Sequence, residues 1–201
     1  MNIANRKIQE KQEMSKKILN GARKIFLEKG YDQTSIRNIA SEINYSPGTI
    51  YFYFKDKSEI FYELHREGFR LLLSKMEKND SEQDPFERLK KNGQTYIEFA
   101  KEHKDYYNLM FIVEESKKED RSEFNISKDA INHMKHTIED CQKNGRLKQF
   151  DTDDFTFMMI SVLHGICALF CKDRTNSFLN KTDEELMNSG YNCFVSLLGG
   201  A

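Results

Sequence analysis

Two hydroxyls, a glycine and two phenols stand close together at Ser46, Gly48, Thr49, Tyr51 and Tyr53. At the start of a helix these groups suit one chemistry. The free amides and dipole of the first turn bind a phosphate, and a glycine lets the backbone approach closely. Hydroxyls and phenols donate to phosphate oxygens or touch base edges and thymine methyls. That is recognition of DNA, with no bond made or broken. The other reading of the pattern is an ordinary helical hairpin with exposed aromatics.

The elements that must hold these groups are legible on either side. Ile36, Ile39, Ala40 and Ile43 follow the i, i+3, i+4, i+7 spacing of one buried helical face. Asn44 comes next, a residue that tolerates the left-handed backbone of a helix end. Ser46 is then an N-cap and Pro47 fits the first helical position, where no backbone donor is needed. Two short helices around a tight turn over residues 35–54 make a helix-turn-helix, with Ile50 and Phe54 anchoring the second helix inward.

The flanks extend the unit. Ile18, Leu19, Ala22, Ile25 and Phe26 form an amphipathic helix ended by Gly30, and Thr34 or Ser35 can cap the helix after it. Asp56 and Glu59 are spaced as a capping box, with Ile60, Phe61 and Leu64 continuing an apolar face. The ordered set from Ala22 and Phe26 through Gly30, Tyr31, Thr34, Ser35 and Ile36 to Gly48, Thr49, Ile50, Tyr51, Tyr53, Phe54, Lys57 and Leu64 resembles the N-terminal DNA-binding domain of the TetR family of bacterial repressors. The resemblance implies roles. Thr34, Ser35 and Arg37 match positions that touch the DNA backbone or a neighbouring base, and Ser46, Gly48, Thr49 and Tyr51 match the groove-facing set. Tyr53 and Lys57 match phosphate contacts, and Thr49 and Tyr51 are expected to read bases. Two departures affect the operator: Asn44 and Tyr45 stand where the family usually has Gly and an aliphatic residue, and Phe52 occupies a variable position.

Charge divides along the same line. Residues 1–60 carry 11 Lys or Arg against 7 Asp or Glu, a net of +4, and residues 61–201 carry 20 against 25, a net of −5. A basic head on an acidic body favours phosphate at one end. Domains are expected at 14–64 for the DNA-binding head and 65–201 for an effector-binding and dimerisation domain. Residues 1–13 form a polar tail, read as a frayed extension or as an arm reaching the minor groove.

With two prolines, no tryptophan and no alternating β-branched run, the fold class is all-α, with about nine helices. No apolar leader and no 18-residue apolar stretch is found, which points to a cytoplasmic protein without a membrane partner. The four cysteines fit that compartment as reduced residues.

Beyond the head, helices are expected from Asp84 and Pro85 to His103, then a short one carrying Tyr106, Tyr107, Met110 and Phe111. A charged loop over 114–123 precedes further helices at about 126–143, 152–172 and 183–198. Ile126, Ala130, Met134, Ile138 and Cys141 give the first of these its apolar face. The last two are apolar over more surface than one domain buries, so the surplus needs a partner. A two-fold homodimer through a four-helix bundle is the simple answer and the assembly the resemblance implies. Phe155, Leu163, Ile166, Phe170, Leu186, Tyr191, Phe194 and Leu198 are its expected interface. Such a dimer would read a palindromic double-stranded operator.

The resemblance also implies a small-molecule effector, apolar or aromatic, enclosed by the middle helices. Candidate lining residues are Phe69, Tyr96, Phe99, His103, Tyr107, Met110, Phe111, Met134, Met158 and His164; aromatic and Met residues at this spacing also build plain cores. Residues 106–111 with His164 and Gly165 are similar to the WHG effector domain of some TetR-like regulators, without its Trp. Release of DNA by the effector makes a repressor. A redox- or metal-responsive regulator of the same fold is the alternative, on the spacings of His164, Cys167 and Cys171 and of His133 and His136; buried structural cysteine is the simpler account, and no metal or cofactor is expected. No nucleophile elbow, zincin motif, phosphate-cradling Gly-rich loop or paired CxxC is present, so an enzyme is not expected; a helical interaction scaffold is the remaining class.

Overall fold

The computed structural model describes residues 3–111, 125–175, 178 and 180–199. The expected charged loop and the side chain of Ile126 lie outside the described residues. Nine α-helices are present among the described residues, in the order α1 (Ile3–Gln33), α2 (Ile36–Glu42), α3 (Pro47–Tyr53), α4 (Lys57–Met76), α5 (Pro85–Glu102), α6 (Lys104–Phe111), α7 (Asn125–Lys143), α8 (Thr152–Cys171) and α9 (Asp183–Gly199). No strand occurs among the described residues.

The chain divides into two compact units. The first comprises residues 1–68 and the described part of 105–121. Its core joins Ile18, Ala22, Phe26, Ile39, Ile50, Ile60, Phe61 and Leu64 to Leu109 of α6. Helix α6 also belongs to this unit, because Leu109 is fully buried in the head's core. On α4, His65 sits on the Phe61 ring, 4.5 Å between centroids. Burial holds its imidazole down to about 4, against a hydrogen bond with the Leu109 backbone that pulls the other way.

Local signals explain the helix ends. Gly30 has φ 76°, a conformation open to glycine at little cost, and it interrupts α1 before Tyr31. Asn44 takes φ 59° after the Ile43 cap of α2. Ser35 caps α2 in a box with Asn38: the Ser35 hydroxyl oxygen accepts from Asn38 N at 3.2 Å, and Asn38 Oδ1 accepts from Ser35 N at 3.1 Å. Residues 5–13 are helical and exposed on every side, which corrects the expectation of a frayed tail.

The second unit comprises residues 69–104 and the described part of 122–201. Helix α5 starts at Asp84, whose carboxylate accepts from Phe86 N at 2.8 Å and Glu87 N at 3.2 Å, with Pro85 in the first turn. Helix α5 packs on α7, α8 and α9 around Leu89, Ile97, Phe99, Met134, Ile138 and Leu163. Tyr191 of α9 lies across Gly93 and donates its hydroxyl proton to Lys90 O at 2.6 Å.

Helix α8 departs from one expectation. It is long and apolar enough by composition to cross a membrane, as the core helix of a helical bundle also is. Its inner face, with Phe155, Met159, Leu163 and Cys167, is buried against its neighbours.

Candidate nucleic-acid interface

The second helix of the helix-turn-helix is built to be presented. Ser46 accepts from Thr49 N at 3.2 Å and its hydroxyl meets Thr49 Oγ1 at 3.0 Å. Only Ile50 of α3 is buried, and Phe54 behind it is pinned through Phe54 N donating to Ile50 O at 2.9 Å. This leaves Ser46, Gly48 and Tyr51 exposed and Thr49 and Tyr53 half-buried. Phe52 is 77% exposed, with its ring edge-on to Tyr53 at 5.2 Å. A seven-residue helix that buries one side chain and bares two aromatics gains little from its own packing. Its outer face is left bare.

The expected contact residues do not all face that surface. Ser35 and Arg37 are exposed on α2. Thr34 is turned inward instead: it is 2% exposed, and its hydroxyl donates to Gly30 O at 2.6 Å. That hydroxyl satisfies a helix-end carbonyl and is not offered at the surface. Lys57 is likewise committed. Its Nζ donates to Tyr31 O at 2.8 Å, Thr34 O at 3.1 Å and Asp32 O at 3.4 Å, and lies 4.3 Å from the centre of the Tyr31 ring. An ammonium has three protons. Here all three have carbonyl acceptors within the head.

Two surface aromatics lie outside the expected contact residues. Phe52, at a variable position, is the most exposed side chain on α3 among the large apolar ones. Tyr45 stands in the turn, 39% exposed, with Lys17 Nζ 4.6 Å from its ring centre. The signal available was an apolar residue off the Ile50 and Phe54 face.

The candidate effector residues separate between the two units. Tyr107, Met110 and Phe111 belong to the first unit; Phe69, Tyr96, Phe99, His103, Met134, Met158 and His164 belong to the second. Phe69, Tyr96, Phe99 and Met134 are buried, and burial lowers the affinity of His164 for its proton. Met158 is corrected, since it stands on the outer side of α8. The second unit also holds a polar chain, buried at Asn92 and Thr137. Asn79 Nδ2 donates to Asn92 Oδ1 at 2.9 Å, Asn92 Nδ2 to Thr137 Oγ1 at 3.4 Å, and the Thr137 hydroxyl to His133 O at 3.0 Å.

The expected dimer residues also sort by face. Phe155, Leu163, Tyr191 and Leu198 are buried in their own unit, which removes them from an interface. Ile166, Phe170, Leu186 and Phe194 are half-buried. The bare apolar side chains are others: Phe157 at 76%, Leu197 at 77%, and Leu169.

Among the described residues no group of three His, Cys, Asp or Glu side chains is placed to hold a metal. Cys167 and Cys171 are buried; burial pushes the Cys171 thiol up to about 11 and the Cys167 thiol higher still, so both stay protonated at neutral pH.

A capped helix-turn-helix with an exposed aromatic reading helix, followed by a helical second unit, defines a DNA-binding transcriptional regulator of the one-head, one-body kind. Residues 18–64 match the family described as bacterial regulatory proteins, tetR family, and residues 89–187 match the tetracyclin repressor-like C-terminal domain. The chain belongs to the tetR family, whose members are regulators and not enzymes. An uncharacterized HTH-type transcriptional regulator of Bacillus subtilis, YhgD, is 29% identical over 180 residues, covering 83% of this chain and 87% of the relative. Among solved structures, the regulator FadR from Bacillus subtilis in complex with stearoyl-CoA superposes with TM-score 0.76 at 21% identity, over 90% of this chain and 97% of that one. AibR in complex with isovaleryl coenzyme A and operator DNA gives TM-score 0.74 at 18% identity, over 92% and 97%.

Proposed function

We propose that the chain acts as a homodimeric repressor, binding a palindromic operator through two copies of α3 and leaving it when a small molecule occupies the second unit. The observation that carries this reading is the exposure of large apolar side chains on α8 and α9, with Phe157, Met158 and Leu169 on the first and Leu197 on the second. A second copy packed against these two helices would cover such side chains and bring two heads to one duplex, at half-sites about 34 to 36 Å apart. Thr49, Tyr51 and Phe52 then read bases, while Ser35, Arg37, Ser46 and Tyr53 hold the backbone. Lys57 fixes the frame that aims them.

The effector class is taken from the neighbours' ligands together with the side chains the second unit holds. An acyl thioester has an apolar tail and polar amides, and the second unit holds both buried apolar side chains, Phe69, Phe99 and Met134, and the hydrogen-bonded Asn79, Asn92 and Thr137. Ligand that favours a conformation with misplaced heads lowers operator affinity by its differential binding energy.

Sedimentation of the full chain, with anisotropy of labelled DNA from its own promoter, tests the reading. A dimer is expected that binds this DNA and releases it on addition of stearoyl-CoA or isovaleryl-CoA, but not of coenzyme A alone. Phe157→Glu with Leu197→Glu should yield a folded monomer with weakened binding. A monomeric wild type sinks the dimer, and unchanged DNA affinity with both thioesters sinks the effector class.

A further inference from the structure

The first turns of α1 pack on nothing among the described residues. Residues 5–13 are exposed without exception, Ile8 included at 57%. A helix that is polar all round gains nothing from packing, and the pairs Arg6 with Glu10 (2.8 Å) and Gln9 with Glu13 (3.0 Å) support it only weakly.

Its charge is unusual within the head. Residues 5–17 carry five Lys or Arg against two Glu, a net of +3, so residues 18–60 contribute only +1 of the +4. Several cations of that remainder are engaged: Lys24 with Glu42 at 2.8 Å, Arg23 with Asp105 at 3.2 Å, and Lys57 with backbone carbonyls. Lys7 and Lys11, by contrast, are exposed and make no ion pair among the described residues. They are spaced i, i+4, i+7, i+11 with Met14 and Ile18. Ile18 is buried in the head and Met14 packs against it, so both lysines lie along the face that α1 turns toward the head.

The path of α1 shows what they overhang. Lys24 meets Glu42, Gly21 lies against Ile43, and Lys17 covers Tyr45. Each step toward the start of α1 thus moves toward the start of α3. At a rise of 1.5 Å per residue, Lys11 and Lys7 continue that line about 9 and 15 Å beyond Lys17. This carries them past the Ser46 end of the reading helix.

We infer that residues 5–17 are a second DNA-contacting element, a helical arm whose Lys7 and Lys11 grip phosphates of the duplex flanking the half-site read by α3. The inference rests on the operator-binding reading above. The partner is DNA backbone because the groups offered are flexible point charges, which position without reading sequence.

The test uses the full chain, its operator selected from randomised duplex DNA, and the double variant Lys7→Gln with Lys11→Gln, which keeps good helix formers in place. Binding is measured against salt on a duplex trimmed to the two half-sites and on one extended by a turn at each end. Wild type is expected to bind the extended duplex about tenfold more tightly, and the variant to lose that gain, with a salt slope lower by about two per copy. The trimmed duplex should bind both proteins alike, and circular dichroism should show equal helix content. Equal slopes and equal affinities for wild type and variant on the extended duplex overturn the arm while leaving the operator reading intact. Selection that enriches no duplex overturns both.

Discussion

Lys57 donates a proton to the carbonyl oxygen of Thr34 at 3.1 Å, while the Thr34 hydroxyl donates to that of Gly30 at 2.6 Å. The two residues sew the end of α1 to the start of α2, and α2 in turn sets the angle at which α3 is offered. Lys57→Ala leaves carbonyls at that junction without their charged donor, at a cost of about 1 to 2 kcal/mol. Urea denaturation should show the loss, and operator affinity should fall with no change in salt slope. A slope lower by about one, with stability unchanged, would assign Lys57 to phosphate instead.

On α3, Tyr51 and Phe52 are predicted to supply different kinds of recognition. Tyr51→Ala should lose about 1 to 3 kcal/mol of specific binding through hydroxyl and ring contacts, and Phe52→Ala should relax preference at a thymine position. Selection from randomised duplexes separates the two. Identical sequence preferences in wild type and Phe52→Ala would remove Phe52 from base reading.

Gly93 is expected to tolerate no side chain. A Cβ there would lie 2.8 Å from Tyr191 Cε2, and the ring is held by its hydrogen bond to Lys90 O. Gly93→Ala should lower the thermal midpoint by the strain of overpacking, about 1 to 3 kcal/mol. Tyr191→Phe, which keeps the ring and loses only the hydrogen bond, should cost about 1 kcal/mol. A Gly93→Ala protein as stable as wild type would count against the close approach.

Stability should fall in mild acid because of His65. Its folded value lies near 4, below the usual 6.5 of an unfolded imidazole. The unfolded state therefore binds the extra proton first. The stabilisation is complete above pH 6.5 and is lost as pH falls from 6.5 toward 4, by about 3 kcal/mol at most. Denaturation at pH 7 and pH 5 should show the drop in wild type and a smaller one in His65→Gln. Parallel behaviour of the two would exclude His65 as the source.

What could be read from the chain alone follows from how local each signal is. Ser46 with Pro47, Asn44 and Gly30 act through their own backbone, so helix ends and the turn were legible. The inward turn of Thr34 and the capture of Lys57 depend on Tyr31 and Gly30 closing around them, which spacing does not reveal. In α8, apolar residues occur on most sides, so the pattern signalled a surplus without saying which side the unit keeps. Phe155 and Leu163 went inward and Phe157 and Leu169 outward. Residues 5–13 read as a tail because they have no apolar stripe, the feature by which helices are usually found.

The burial of Leu109 among Ile18, Phe26 and Phe61 bears on modularity. The reading head looks like a cassette that ends near residue 64, yet part of its core arrives from 45 residues further along, at Leu109. A chimera that grafts only the leading segment onto another regulator's body inherits a cavity where Leu109 belongs, unless the recipient provides an equivalent helix. Specificity can be transplanted from this protein by exchanging α3 side chains, or by moving the head together with α6.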